Sequence, residues 1–460
     1  MMIGRTVARR AAPLGATTAR GQRHYSFYPP PEPFSSQSTR ASEPPTPPPP
    51  PPPSSLSTFG ASPQLLSKFL ARNPTGLTLR SLLSLGGEPG SPPPTEKLLR
   101  SARFTAHELP IRLARRVDQY RSLPFIVGSN PYIAKIARLY ASSFDSLASL
   151  GEITSTAENE EFTRKLEEMV ALHSENVPTL SRGFIECQKY MPSAAITHFL
   201  DGAIHSRIGI RLIAEQHLAL THAHATGSST NAHSVGIIDT QVNAADLIDA
   251  CAAFVGDLCE STLGIKPAMV LEGDRSATFV GVSSHLSYCM TELLKNSYRA
   301  TVERHLRLYG SSSDRPLPPI TISLALSPTH LSIRIRDQGG GIHPRNLPHI
   351  FNYTFTTAGS SGEDGEAGGM KEDDDEGGPY AMQQVGGVVG PGGQEGLGAL
   401  SSGGDVGLSS GMGTLAGLGY GLPMSRIYAE HGRGSLDIVS LYGHGCDTFI
   451  KVRANPLDQQ

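Results

Sequence analysis

Two regimes of hydrophobic spacing divide the chain. From Pro63 to about residue 225, apolar positions recur every three or four residues, the period of helices with one buried face. Leu65, Leu66, Phe69 and Leu70 open this pattern behind Pro63, a residue suited to a helix's first turn. Long runs follow at Ala106–Arg121, Pro131–Leu150, Asn159–Lys189 and Ser193–Ala223. In the last, Ile196, Phe199, Leu200, Ile204, Ile208 and Leu212 share one face. Four long helices with short connections predict a bundle over 63–225. From 235 to 455 the spacing changes. Short β-rich runs lie at Val235–Ile238, Met269–Leu271, Thr278–Val282, Ile320–Ala325, Leu331–Arg336, Ser435–Ser440 and Asp447–Val452. Helical runs lie between them at Ala244–Leu263, His285–His305 and Pro423–His431. The expected fold is therefore α followed by α/β: a four-helix bundle, then a sandwich with helices on one face of a sheet.

Three stretches carry neither pattern. Residues 1–31 hold Arg5, Arg9, Arg10, Arg20 and Arg23 before the first acid, Glu32, with Ala, Ser and Thr between them. That is the composition of a mitochondrial transit peptide, expected to end after Tyr25. Residues 26–62 are Pro/Ser-rich, with prolines at every position from Pro47 to Pro53, and predict a spacer without a core. Residues 359–412 form a Gly-rich insertion with the acidic run Glu372–Glu376, expected to be disordered. Composition excludes several classes. A net charge of -3 in 460 residues gives no basic patch for nucleic acid. No apolar run approaches a membrane-spanning length. The five cysteines are dispersed, with no CxxC pair, which argues against a disulfide framework or structural zinc and suits a reducing compartment.

The chemistry concentrates on the His285–His305 run. Leu286, Cys289, Met290, Leu293, Leu294 and Ser297 make its apolar face. Glu292 and Asn296 are four apart and point the same way, so a proton acceptor stands one turn from an amide oxygen able to hold a hard cation. Lys295 and Arg299 make a cationic pair on an adjoining stripe. Alone, this is also the pattern of an ordinary amphipathic helix with a charged outer face. Two glycine clusters change the balance. Asp337-x-Gly339-x-Gly341 follows an alternating run, with a carboxylate at the turn suited to an exocyclic amino group. Gly417-Leu418-Gly419-Tyr420-Gly421-Leu422 precedes Pro423, where a helix would start and present N–H groups to phosphates. In the bundle, Arg207 and Arg211 are four apart, with His173 on the preceding helix. They could receive a carboxylate ligand, or pair with Glu215 and Asp201 to fix helix packing.

E-x-x-x-N on a helix, D-x-G-x-G after a strand and G-x-G-x-G before a helix, in that order, resemble the three boxes of the GHKL ATPases and their Bergerat fold. The chain further resembles the mitochondrial 2-oxoacid dehydrogenase kinases along nearly all of 63–455. The segments that carry this are Glu108–Ala114, Leu123–Pro131, Phe199–Asp201, Ser206–Arg211, Gln216–Leu220, Glu292–Thr301, Phe355–Ala358 and Gly419–Arg426. Leu123–Gly128, Tyr288 and Arg299–His305 lean toward the branched-chain type, as does the absence of Trp. No H-E-x-x-x-P segment of a histidine kinase precedes the boxes. The resemblance implies a serine kinase of the matrix that phosphorylates and inactivates the decarboxylase component, docks on the lipoyl-bearing acyltransferase core and forms a homodimer. The alternatives are a non-phosphorylating nucleotide-binding scaffold and a GHKL ATPase. The resemblance makes Glu292 the general base, assisted by Lys295, and Asn296 the ligand of Mg²⁺. It places Arg299, Asp337, Gly339, Gly341, Thr356, Thr357 and the 417–422 loop around ATP. It adds K⁺ as a second ion, and an allosteric oxoacid site at His173, Arg207 and Arg211. One departure is the segment Gly445-Cys446-Asp447-Thr448, where the family has Gly-Thr-Asp; Thr448 then stands nearest to the missing hydroxyl.

Overall fold

The computed structural model describes residues 61–229, 231–353, 355 and 419–454. The expected transit peptide, all but the last two residues of the proline-rich spacer, the 359–412 insertion and the site candidates Thr356, Thr357, Gly417 and Leu418 lie outside them.

The first half is helical. Short helices α1 (Pro63–Leu70) and α2 (Leu79–Leu83) precede α3 (Thr95–Arg121), which runs through Pro110 without ending. After α4 (Phe125–Gly128) comes α5 (Pro131–Ala148), capped by Asn130, whose side chain accepts from the N–H groups of Tyr132 and Ile133. The run expected as one helix over Asn159–Lys189 is two: α6 (Thr156–Leu172) and α7 (Asn176–Glu186), broken at His173. Pro178 in the first turn of α7 has no N–H and cannot extend a preceding helix, which accounts for the break. Helix α8 (Ser193–Thr226) ends at left-handed Gly227. Helix α3 packs on α5 and α8, α6 on α8 and α7 on α5, so the bundle stands with its fourth position shared by α6 and α7.

The second half is α/β. Val235–Ile238, expected as one strand, is instead the turn of a hairpin between β1 (Ser234–Val235) and β2 (Ile238–Asn243), with Gly236 at φ 62°. Gln216 on α8 closes that turn, donating from Nε2 to Val235 O at 3.1 Å and accepting from Ile237 N at 2.9 Å. Helix α9 (Ala244–Leu263), β3 (Met269–Gly273), β4 (Thr278–Gly281) and α10 (Ser283–Tyr309) follow. Then come β5 (Ile320–Leu326), β6 (His330–Arg336), α11 (Gly421–His431), β7 (Ser435–Leu441) and β8 (Gly445–Arg453). One sheet has the order β1-β2-β4 and the other β3-β5-β6-β8-β7, where only the β3–β5 pair is parallel. Leu331, Ile333, Ile335, Leu436 and Ile450 are buried on one face of the larger sheet, against the α9–α10–α11 layer. One buried apolar cluster runs from Leu66 in α1 to Ile450 in β8, joining the bundle to the sheet domain.

His217 tests the bundle's packing. It is fully buried on α8, with Nδ1 3.1 Å from Ser101 Oγ, and burial holds its pKa down to about 4. A depressed histidine contributes stability that is whole above the unfolded value near 6.5 and lost as pH falls toward about 4. Urea midpoints at pH 7.5 and 4.5 should therefore differ less in His217→Leu than in the parent chain; an equal drop would contradict the assignment.

Candidate active site

Helix α10 is approached from both sides by glycine backbone. A Cβ on Gly339 would come within 2.5 Å of Ala300 Cβ, and one on Gly421 within 2.3 Å of Glu292 Oε2. At Gly339 only glycine permits the approach, whereas at Gly421 a side chain would need the Glu292 carboxylate to shift. The three boxes expected from the sequence thus meet on one helix. Glu292 is 9% exposed, and its Oε1 accepts from Lys295 Nζ at 2.7 Å; Lys295 is 2% exposed. Asn296, one turn on from Glu292, is exposed, whereas the carboxylate is buried. Arg299 is half-buried and paired with Glu303 Oε1 at 2.6 Å, so each cation of the expected stripe has its own carboxylate.

Asp337 directly follows β6 and is buried. Its Oδ1 accepts from Gly339 N at 2.8 Å and Cys446 N at 3.1 Å, while Oδ2 takes Ser297 Oγ at 3.4 Å. Burial pushes its pKa up, opposed by those three donors. The Gly339–Gly341 loop is sewn to the β7–β8 turn by Gly340 N donating to His444 O at 3.1 Å and Gly443 N donating to Gly340 O at 2.7 Å. Arg304, which sequence reading passed over, clamps the same place. Its Nη1 donates to Gln338 O at 2.8 Å and to His444 O, and its Nη2 to Gly443 O at 2.5 Å. The signal was its spacing, eight residues after Asn296 on the helix that faces the loop. Gly341, at φ 75°, lies farther along, against Leu441 O.

Cys446 fills the position of the expected hydroxyl, and burial pushes its thiol up to about 11, so it stays protonated. Thr448 is buried on β8 between Ile335 and Ile438. At the start of α11, Gly419 has φ 78°, Leu422 packs partly into the core, and Tyr420 is buried with its ring 5.0 Å from Tyr353. Tyr353 Oη donates to Asp201 Oδ1 on α8 at 2.7 Å, a link to the bundle with no signal in local spacing. Asp201 therefore serves Tyr353, while Arg211 pairs with Glu215.

In the bundle, His173, Arg207 and Arg211 do come together. Burial, then Arg207, then Arg211, lower the His173 pKa to about 4. Ser143 Oγ and Asn176 Nδ2 hold its two ring nitrogens at 2.8 Å each. Arg207 is 5% exposed, and its Nε and Nη2 have no hydrogen-bond partner among the described residues.

The cradle around α10 fits a purine nucleotide: a buried carboxylate with room on one oxygen, glycine backbone on two sides and an exposed amide. Among the described residues no three His, Cys, Asp or Glu side chains cluster to hold a metal ion. A divalent ion here would need phosphate oxygens to complete its shell.

Comparison with known proteins agrees. Residues 76–239 match the family model described as mitochondrial branched-chain alpha-ketoacid dehydrogenase kinase, and residues 281–371 match the histidine kinase-, DNA gyrase B- and HSP90-like ATPase model. An Arabidopsis thaliana protein named pyruvate dehydrogenase (acetyl-transferring) kinase, mitochondrial, is 32% identical over 82% of this chain and 89% of its own length. The Homo sapiens isozyme 1 of that name is 27% identical over 85% of this chain and 80% of its own. An Ascaris suum relative of the same name is 28% identical over 84% of each chain.

Gly339→Ala is expected to destabilise the fold by about 1–3 kcal/mol, because Ala300 backbone cannot step aside. Gly421→Ala meets only the end of a side chain and should cost less. Urea denaturation of the two variants checks this, and equal losses would contradict it.

Proposed function

The chain belongs to the mitochondrial 2-oxoacid dehydrogenase kinase family of the GHKL superfamily, and from that premise we propose that it moves the γ-phosphoryl group of ATP to a serine of the complex's decarboxylase component and so switches that component off. The observation that carries the reading is the Glu292 carboxylate, held at one oxygen by Lys295 and lying at its other against Gly421, where α11 starts. Glu292 takes the proton of the serine hydroxyl as the new O–P bond forms and the β–γ bridge breaks to leave ADP. Lys295 keeps that carboxylate in place, and with Arg299 offsets charge on the moving phosphoryl group.

Asn296 would hold Mg²⁺, which would supply charge neutralisation for the phosphates; K⁺ is the second ion of this proposal. Asp337 would accept from the adenine amino group, and Gly339, Gly341, Gly419, Tyr420, Gly421 and Leu422 would line the nucleotide, with Thr448 beside it. Thr356, Thr357, Gly417 and Leu418 belong to the same proposal from sequence alone. The orphan nitrogens of buried Arg207 support a carboxylate-bearing oxoacid regulator beside His173 and Arg211. The domain limits proposed are 63–225 for regulation and docking and 235–455 for catalysis, after a transit peptide over 1–25 and a spacer over 26–62. The enzyme would work in the matrix as a homodimer docked on the lipoyl-bearing core. Its complex is the pyruvate or the branched-chain one. The relatives' names favour the first, and the family model of the bundle favours the second.

Purified pyruvate and branched-chain decarboxylase components, incubated separately with the chain and labelled ATP, should differ in phosphate uptake. Glu292→Gln should cut transfer by about 10²–10⁴-fold with ATP affinity little changed. Undiminished transfer by that variant would refute the base, and no uptake by either component would leave the scaffold reading instead.

A further inference from the structure

At the far end of the sheet from the nucleotide cradle lies an open cavity of about 390 Å³. It is lined by Ser327, His330, Ser332, Arg433, Ser435 and Lys451, with Gly434. His330 begins β6 and Asp337 follows its end, so the two sites stand roughly 20 Å apart along one strand. The floor is a row across three strands. Ser332 pairs with Lys451, and Lys451 pairs with Ser435, so all three side chains share a face. Leu331, Ile450 and Leu436, next along those strands, are buried, so the row is on the outer face.

Arg433 forms the rim, and its backbone is the informative part. It follows α11 with φ 57°, the one non-glycine residue at positive φ among those described. The turn demands that conformation. Gly434 N donates to Ala429 O at 2.8 Å, and a Cβ on Gly434 would fall within 1.9 Å of Lys451 O, so the chain is pressed onto β8 as it leaves the helix. Glycine takes the left-handed position after a helix at no steric cost, whereas arginine strains the backbone there. An observed strain of this kind is a reason to look for a use of the side chain.

Charge gives that use. Neither Arg433 nor Lys451 is in an ion pair among the described residues. Of the near acids, Glu430 meets Arg426 and His205, and Asp437 accepts from the hydroxyl of Ser435 in the cavity wall, so neither pairs with Arg433 or Lys451. His330 Nδ1 meets Thr329 Oγ1 at 2.9 Å, which leaves its other nitrogen for the cavity. Ser332 Oγ has no protein partner among the described residues, and Ser327 is taken up in its own turn.

We propose that this cavity binds a phosphate group, with the Arg433 guanidinium and Lys451 ammonium as its charge partners and His330 and Ser332 as further donors. A guanidinium fork, a point charge and neutral donors from different directions match a tetrahedral oxyanion with several oxygens better than a planar carboxylate with two. The site is separate from the nucleotide's phosphates, so occupancy here does not compete with ATP.

The experiment is calorimetric titration of the full chain with inorganic phosphate while saturating ADP fills the nucleotide cradle. A second arm uses a phosphoserine-bearing decapeptide, which tells a free phosphate from one carried on a chain. The expected result is binding in at least one arm, weakened about tenfold or more in both Arg433→Gly and Lys451→Met. Arg433→Gly should at the same time raise Tm by about 2 °C without phosphate, because the strain is gone; a residue of purely structural value would lower it. No binding in either arm with ADP present, or equal affinity in the parent chain and both variants, would overturn the proposal.

Discussion

Bare backbone pressed against α10 is the constraint on which the sheet domain depends. Gly339 sits on Ala300, Gly421 on the Glu292 carboxylate, and Gly445 on Asp337, where a Cβ would come within 2.0 Å of the Asp337 carbonyl oxygen. The first two contacts bring two separate loops to one helix and shield the Glu292–Lys295 pair, and the third ties the β7–β8 turn to the first of those loops. Burying two charges costs several kcal/mol per ion after relaxation, which close geometry must offset. The 2.7 Å contact between them supplies that geometry. Arg304 and the backbone ties across the β7–β8 turn then keep the first glycine loop from drifting off the helix.

The bundle interior obeys a different rule, because two of its buried cations, Arg116 and Arg207, form no ion pair among the described residues. Arg116 is 1% exposed and lies over the rings of Tyr120 and Phe199 at 5.1 and 5.3 Å, so aromatic faces replace part of its lost hydration. Burial, then Arg207 and Arg211, keep a proton off His173, which stays neutral and is fixed by Ser143 and Asn176. A buried guanidinium with orphan nitrogens at Arg207 beside a neutral imidazole makes an interior that favours an incoming anion.

Much of this was legible because periodicity reports burial. The face of α10 and the order of the boxes could be read from spacing alone, since a glycine between a strand and a helix has few other reasons to be there. The break at His173 could have been read as well. Pro178 lacks an N–H, and Ser155-x-x-Glu158 is a capping box that sets the start of α6 at Thr156 rather than Asn159. Pro110 carries the same residue type without a break, because α3 is held by neighbours on several sides. Gly236 inside an apolar run was the sign of the β1–β2 turn. The Gln216 amide that satisfies that turn could not be read, since nothing local ties a residue on α8 to a hairpin twenty positions later. The same holds for Tyr353 and Asp201, which are 152 residues apart.

That last contact has a thermodynamic consequence. Helix α8 carries Asp201, which holds the segment next to α11, and six residues on it carries Arg207, which faces the bundle interior. A rigid rod with a grip at each site cannot shift for one without shifting for the other. Linkage is reciprocal, so whatever free energy an anion beside Arg207 transmits along α8 to the tyrosine grip is returned in equal measure, as a change in that anion's own affinity, when the tyrosine end is occupied first.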